Sequence, residues 1–294
     1  MSKSVKKKGS RISLLDRDIV YLPSPLIQVT MPHKDPGNVQ AWQRQNGKTF
    51  LVLQPGWDPI AKKSIGYPFG VTAKMLILWM TQAVMETKSR VLDLGGSMAE
   101  FMRYLGLDPS TGGGVHGDAF NLKKQMTRLL RVMISLEYIS HEEGGVFQQW
   151  NSIQIAPKGE MWWNGRNNWQ GKIELGEEFY KILINNKVPL DMDALRKLTD
   201  SPMAIDFYCL LTWKSSQAEE QGREKFMKWE WLQQQIGSGL TDKKNFARNA
   251  KKAVIKVIDA YPRLRAEAVR GGVIVTPNSK PSVPRSIKTL LEQD

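Results

Sequence analysis

The chain has 294 residues, 42 of them Lys or Arg and 29 Asp or Glu, which leaves a formal charge of +13. Its 41% hydrophobic content, with ten Trp and thirteen Met, can fill real cores, so a disordered polybasic tail is excluded and two domains of ordinary size are expected. The single cysteine, Cys209, excludes a disulfide framework and a thiolate zinc site, and the strongest apolar run, Met75 to Met85, is too short to cross a bilayer. Excess positive charge on a folding chain points to a polyanion, nucleic acid ahead of membrane. Met1 to Arg11 is basic and polar with no apolar block behind it, which is not a secretory signal, so a cytoplasmic protein is expected.

After a basic tail over residues 1–20, Leu26 to Met31 and Lys48 to Leu53 read as strands. Val71 to Lys88 reads as a helix opened by Thr72, with Leu76, Met80, Ala83 and Val84 at helical spacing. A short strand, Val91 to Leu94, ends at Gly95-Gly96. Ser97 with Glu100 then makes a capping box for a helix through Leu105. A glycine-rich loop from Asp108 to Gly117 leads into a basic amphipathic helix over Asp118–Ser135. Its Leu122, Met126, Leu129, Leu130 and Met133 share one side, and Asn121, Lys124, Arg128 and Arg131 lie on the other. Tyr138 to His141 and Val146 to Ile155, joined across Gly144-Gly145, are expected to form a first wing hairpin. Gly159 to Gly171, rich in Trp, Asn and Gly, is read as the connection between domains.

Beyond it, Lys172 to Leu175 suggests a strand and Glu177 to Asn185 a helix. Helices follow over Asp191–Leu198 and Ser201–Ser215, the latter with Pro202 at its permitted first position. Phe226 to Trp229 is a short strand, and Glu230 to Ile236 a helix stopped by Gly237 and Gly239. The second basic helix, Thr241 to Ile258, sets Phe246, Ala250, Val254 and Val257 against Lys244, Arg248, Lys251, Lys252 and Lys256, and the basic arc carries no acid. Arg263 to Ala268 and Val273 to Thr276 bracket Arg270-Gly271-Gly272 as a second wing, before a tail.

The order helix, short helix, basic helix, wing hairpin thus occurs twice, and each basic helix carries Lys-Lys-x-x-x-Arg: Lys123-Lys124 with Arg128, and Lys243-Lys244 with Arg248. A basic helix beside a hairpin is a common device for reading a DNA groove. The expected fold is α+β: two tandem winged-helix domains, mainly helical with small antiparallel wings. They span residues 21–170 and 171–278, with a C-terminal tail over 279–294. The expected DNA contacts are Lys123, Lys124, Arg128 and Arg131 in the first module. In the second they are Lys243, Lys244, Arg248, Asn249, Lys251, Lys252, Lys256 and Arg270.

Enzyme constellations are nearly absent. Gly112-x-Gly114-x-x-Gly117 has the spacing of a dinucleotide loop but follows a helix instead of a strand, so it reads as a turn bringing backbone amides to a phosphate. His33, His116 and His141 are scattered, and Asp191 and Asp193 read as helix-start acids. Trp162, Trp163 and Trp169 could stack on bases, though core packing is the commoner role of such residues. No enzyme activity, cofactor or metal is expected.

Pro109-Ser110-Thr111-Gly112-Gly113-Gly114-x-x-Gly117, with Leu122-Lys123-Lys124-Gln125-Met126 and Arg128-Leu129-Leu130 after it, resembles plasmid-encoded RepA-type replication initiator proteins, from about Val71 to the second wing. The resemblance implies a tandem winged-helix fold, binding to repeated duplex-DNA sites (iterons) at a plasmid origin, and local opening of the duplex. It also implies recruitment of a host initiator and a replicative helicase, and a homodimer as one state of the protein. The alternative is a winged-helix transcriptional regulator with no role in replication.

Overall fold

At the N-terminus, β1 (Ile19–Pro23) turns directly into a helix, α1 (Ser24–Gln28), where the sequence predicts a strand from Leu26. Pro25 is tolerated in a first helical turn, and that turn buries Ile27. The computed structural model describes residues 19–95, 98–105, 107, 109–111, 117–164, 168–185, 187–237 and 242–283. The basic tail up to residue 18, the Ser97 cap, Gly112, Gly114, His116, Thr241 and the tail after residue 283 lie outside the described residues, as do the side chains of Glu100, Trp163 and Trp169.

Next come β2 (Trp42–Asn46), β3 (Thr49–Gln54) and a small hairpin, β4 (Trp57–Asp58) with β5 (Lys63–Ser64). The long helix α2 (Gly70–Thr87) is buried without a break from Thr72 to Val84, as a helix apolar all round must be. β6 (Val91–Asp93), α3 (Met98–Tyr104) and a 3-10 turn at Pro109–Thr111 lead to α4 (Asp118–Arg131). α4 ends a turn early, because β-branched and exposed residues from Met133 begin a strand. That strand, β7 (Met133–Glu142), pairs with β8 (Gly145–Gln154), and β9 (Lys158–Asn164) with β10 (Asn168–Glu174). α5 (Glu177–Ile184), β11 (Lys187–Asp191) and α6 (Met192–Arg196) carry the chain to the second buried helix, α7 (Pro202–Gln221). β12 (Lys225–Lys228), α8 (Trp229–Ile236), α9 (Lys243–Ala260), β13 (Ala266–Ala268) and β14 (Gly272–Val275) complete it.

The sheets correct the expected first wing. β7 and β8 do form a hairpin, but it extends a four-stranded sheet in the order β2-β3-β7-β8. The strand beside α2, β6, pairs instead with β10, giving the order β6-β10-β9. In the second half β12 pairs with β14, giving the order β12-β14-β13. Both halves therefore run helix, strand, helix, basic helix, strand, strand, with the last strand in the middle of a three-stranded antiparallel sheet. In the first half the hairpin β7–β8 is inserted between the basic helix and the closing strands.

The Trp- and Gly-rich segment read as a connection is that closing pair, and a boundary at 170/171 falls inside β10. Gly159 and Gly171 serve close approach: a Cβ on Gly171 would lie 2.5 Å from Leu94 Cδ1. Of the described residues about 43% are helical and 28% strand, a mixed fold in place of a mainly helical one.

Buried polar groups join the halves. Asp206 on α7 receives Lys74 Nζ from α2 at 2.6 Å and lies 2.7 Å from His33 Nε2, all three nearly excluded from solvent. Burial alone would raise the Asp206 carboxyl, but Lys74 and the His33 hydrogen bond hold it down at about 2. Burial also lowers His33. Alongside, Arg44 of β2 donates to the carbonyls of Gln235 and Gly237, the orphan acceptors at the C-terminal end of α8. Gln235 Nε2 donates back to Ile27 O at 3.1 Å.

Candidate nucleic-acid interface

α9 is the more open of the two basic helices. Asp242 caps it, accepting from Lys244 N at 2.8 Å, and Phe246, Ala250, Ala253, Val254 and Val257 are its buried face. Lys244, Arg248 and Lys252, spaced i, i+4, i+8, stand exposed on the opposite face, with Lys251 half-buried beside them and Asn249 half-buried at the margin. Arg248 Nη2 donates to Asn245 Oδ1 at 2.8 Å, which fixes its fork one turn from the helix start. Among the described residues, no acid pairs with Lys244, Arg248, Lys251, Lys252 or Arg270 in the turn between β13 and β14.

Two of the expected contacts are already engaged. Lys243 pairs with Glu230 of α8 at 2.7 Å, and Lys256 pairs with Asp200. The helix also runs further than the sequence pattern suggests. It takes in Asp259, an exposed acid, so the basic arc is not acid-free in its last turn. The usable cationic surface is thus the N-terminal two-thirds of α9 with the turn at Arg270. On the adjoining corner Lys228 Nζ lies over the exposed Trp231 ring at 5.0 Å.

α4 differs. Lys123 and Lys124 are exposed, but Arg128 is not on the outer face; it is only 8% exposed. Its guanidinium donates to Ile65 O (2.7 Å), Tyr67 O (3.2 Å) and Asp35 Oδ2 (3.0 Å), under the Phe69 ring. An arginine has five donors in a fixed fork, and three carbonyl or carboxylate oxygens arranged around this one outweigh its preference for water. Arg131 is exposed, yet its Nη2 donates to Trp57 O at 2.6 Å. The two arginines are struts, and Lys123 and Lys124 are the exposed cations of α4.

Sequence reasoning missed three features. The strands that close the three-stranded sheet of the first half are β9 and β10, and Trp162 on β9 is 68% exposed. The joint residues Lys74 and Asp206 could have been found as single charges inside otherwise apolar helical runs. The β4–β5 hairpin was signalled by Asp58-Pro59 between two apolar residues.

A family model, plasmid encoded RepA protein, matches residues 68–232. The chain belongs to the RepA family of plasmid replication initiators. The matched stretch runs from the start of α2 into α8 and so contains α4 but stops short of α9 and the second wing. Among solved structures, the chain is similar to two crystal structures of domains 2 and 3 of RctB. One has a TM-score of 0.50 at 10% identity, covering 86% of this chain and 97% of that one. The other, residues 155–483 of RctB, has a TM-score of 0.47 at 9% identity, covering 85% and 93%. At such identities the likeness concerns the fold alone. No curated protein matches this chain in sequence. A replication-initiator role for this RepA-family chain therefore rests on the family, and no helix among its described residues is long and apolar enough to cross a membrane.

Proposed function

We propose that this RepA-family protein initiates replication by gripping duplex DNA with two tandem winged-helix modules. In the first, α4 presents Lys123 and Lys124 beside the wing β9–β10. In the second, α9 presents Lys244, Arg248, Lys251 and Lys252 beside the wing tipped by Arg270. The observation that carries this reading is the repeated layout: helix, strand, helix, basic helix, two strands, each sheet with its last strand in the centre. In such modules the basic helix enters the major groove and the wing follows the backbone or minor groove. Lysines meet phosphates; Arg248, with its fork held by Asn245, suits a bidentate contact to guanine.

The protein works in the cytoplasm on repeated sites at its plasmid's origin. It acts by binding: it opens the adjoining duplex and gathers a host initiator and the replicative helicase, and it neither cleaves DNA nor hydrolyses ATP. Footprinting the DNA that flanks its gene tests this, with binding measured between 50 and 200 mM salt. Protection of direct repeats is expected, with affinity falling by ~10³–10⁵ if about 6–10 phosphates are neutralised. A flat salt response refutes the two-module footprint. Strand breaks at a fixed position in supercoiled origin DNA with Mg²⁺ refute the binding-only reading. Protected repeats whose deletion leaves plasmid replication intact assign the protein to transcriptional regulation instead.

A further inference from the structure

The β4–β5 hairpin belongs to neither repeat. Its loop, Pro59 to Lys62, ends in an isoleucine, Ile60, that is 93% exposed, the highest value among the large exposed hydrophobics described. A scattered surface isoleucine needs no explanation, but this one is mounted on a braced support. The Asp58 carboxylate accepts hydrogen bonds from the backbone N–H groups of Ile60 (2.9 Å) and Ala61 (3.0 Å), which locks the turn. The legs pair at Trp57 with Ser64 and Asp58 with Lys63, and Ile65 N donates to Gly56 O below them.

α4 then holds each leg with one arginine: Arg131 takes Trp57 O, and Arg128 takes Ile65 O and Tyr67 O. The second leg lies against Arg128 through Gly66, at φ +82°, where a Cβ would sit 2.5 Å from the guanidinium. Only glycine allows that approach.

Charge and position complete the case. Lys62 and Lys63 follow the tip and are exposed, as is the Trp57 ring, while the single acid of the hairpin is turned into its own loop. Phe120, Lys124 and Arg131 lie along one exposed stripe of α4, and that stripe ends where Arg131 grips the hairpin. An apolar tip next to two cations, on a rigid support beside a basic helix, has the chemistry of side chains that enter the minor groove and unstack a base step. Lys62 and Lys63 follow directly on the apolar tip, which favours a polyanion over an apolar protein surface.

We propose that the β4–β5 hairpin is a DNA wedge: Ile60 inserts between base pairs beside the duplex lying on α4, and Lys62 and Lys63 hold the flanking phosphates. This rests on the reading that α4 faces DNA. It gives that reading a means of distorting the duplex.

The test uses the full-length protein and a closed circular plasmid carrying the DNA that flanks its gene. The plasmid is relaxed by a topoisomerase with protein present, and binding to a linear fragment of the same DNA is measured in parallel. Wild type is expected to shift the topoisomers toward unwinding. Ile60→Ser should bind within about threefold of wild type but lose the shift, and Ile60→Met should keep it, since the tip is solvent-exposed and the fold does not depend on it. Replacing Lys62 and Lys63 by Ala together should weaken binding and reduce the salt slope by about two. If Ile60→Ser shifts the topoisomers as wild type does, or wild type binds without any shift, the wedge is refuted; the first result assigns the tip to a protein contact. If wild type fails to bind the fragment, the DNA reading of α4 falls as well.

Discussion

Replacing Asp206 by Ala tests the joint between the halves. The carboxylate is buried against Lys74 at 2.6 Å and His33 at 2.7 Å, and both partners are themselves buried. Deleting it strands an ammonium out of reach of water, a loss of ~3–5 kcal/mol in comparable buried pairs. Against a typical total of about 5–15 kcal/mol this is a large fraction. The loss should be specific to the stranded charge. Lys74→Met in the Asp206→Leu background removes both charges at similar volume and should recover most of the stability, because a well-packed apolar pair roughly matches a buried ion pair.

Urea denaturation of wild type, single and double variants measures this, and pH supplies a second signature. The folded Asp206 carboxyl titrates near 2, below its unfolded value, so its contribution is full above about 4 and lost as pH falls toward 2. His33 is also lowered by burial, so the unfolded chain takes up its proton first and stability begins to fall below about 6.5. Asp206→Ala should flatten the lower of these two limbs. A cost under about 1 kcal/mol, or a double variant no better than the single one, would refute the claim that the pair is uniquely placed and desolvated.

Arg128→Met should destabilise the fold by ~2–4 kcal/mol in thermal denaturation, because the Ile65 and Tyr67 carbonyls and the Asp35 carboxylate lose a charged donor that is itself buried; a loss of DNA affinity with unchanged stability would return this residue to the groove. Replacing Lys244, Arg248 and Lys252 by Ala should leave stability within ~0.5 kcal/mol and lower the salt slope of DNA binding by about one per contact, read by titration at several salt concentrations. Gly171→Ala should cost ~1–3 kcal/mol through its collision with Leu94, and a neutral result in urea denaturation would contradict the packing of β10 on β6. Burial pushes the Cys209 thiol well above its usual range, so Ellman's reagent should label it only after denaturant is added.

Much of the second half was legible in the sequence because its pairings are local. Phe226 to Trp229, Glu230 to Ile236 and the Arg270-Gly271 turn each carry their own signal, and β12, α8 and β14 differ from the expected elements by a residue, whereas α7 runs six residues past the expected Ser215 and β11 was not foreseen. The first half was less legible because its strands find distant partners. Nothing near Trp162 or Gly171 indicates that β6 will pair with β10, and glycines chosen for close packing look like loop glycines. Arg128 was misplaced for a related reason. A helical wheel ranks faces by polarity, but Ile65 and Tyr67 offer their carbonyls from a segment the wheel does not contain. The basic face of α9 was legible because Lys244, Arg248 and Lys252 stay exposed, as the wheel expects.

The strand registers also bear on the order in which this chain folds as it is made. β13 and β14 are close in sequence, and β12 is not far upstream, so the last half can assemble from its own residues. In the first half Val91 must wait for Glu174, and Leu53 for Ile134. Ile19 has no strand partner until Asp191 has been synthesised. Non-local pairings of this kind fold slowly, because the loop they close must be ordered before contacts repay it. The portion emerging first from the ribosome is therefore expected to finish last. In hydrogen-exchange pulse labelling during refolding, amides of α7 to β14 should be protected before those of β1, and the reverse order would contradict this account.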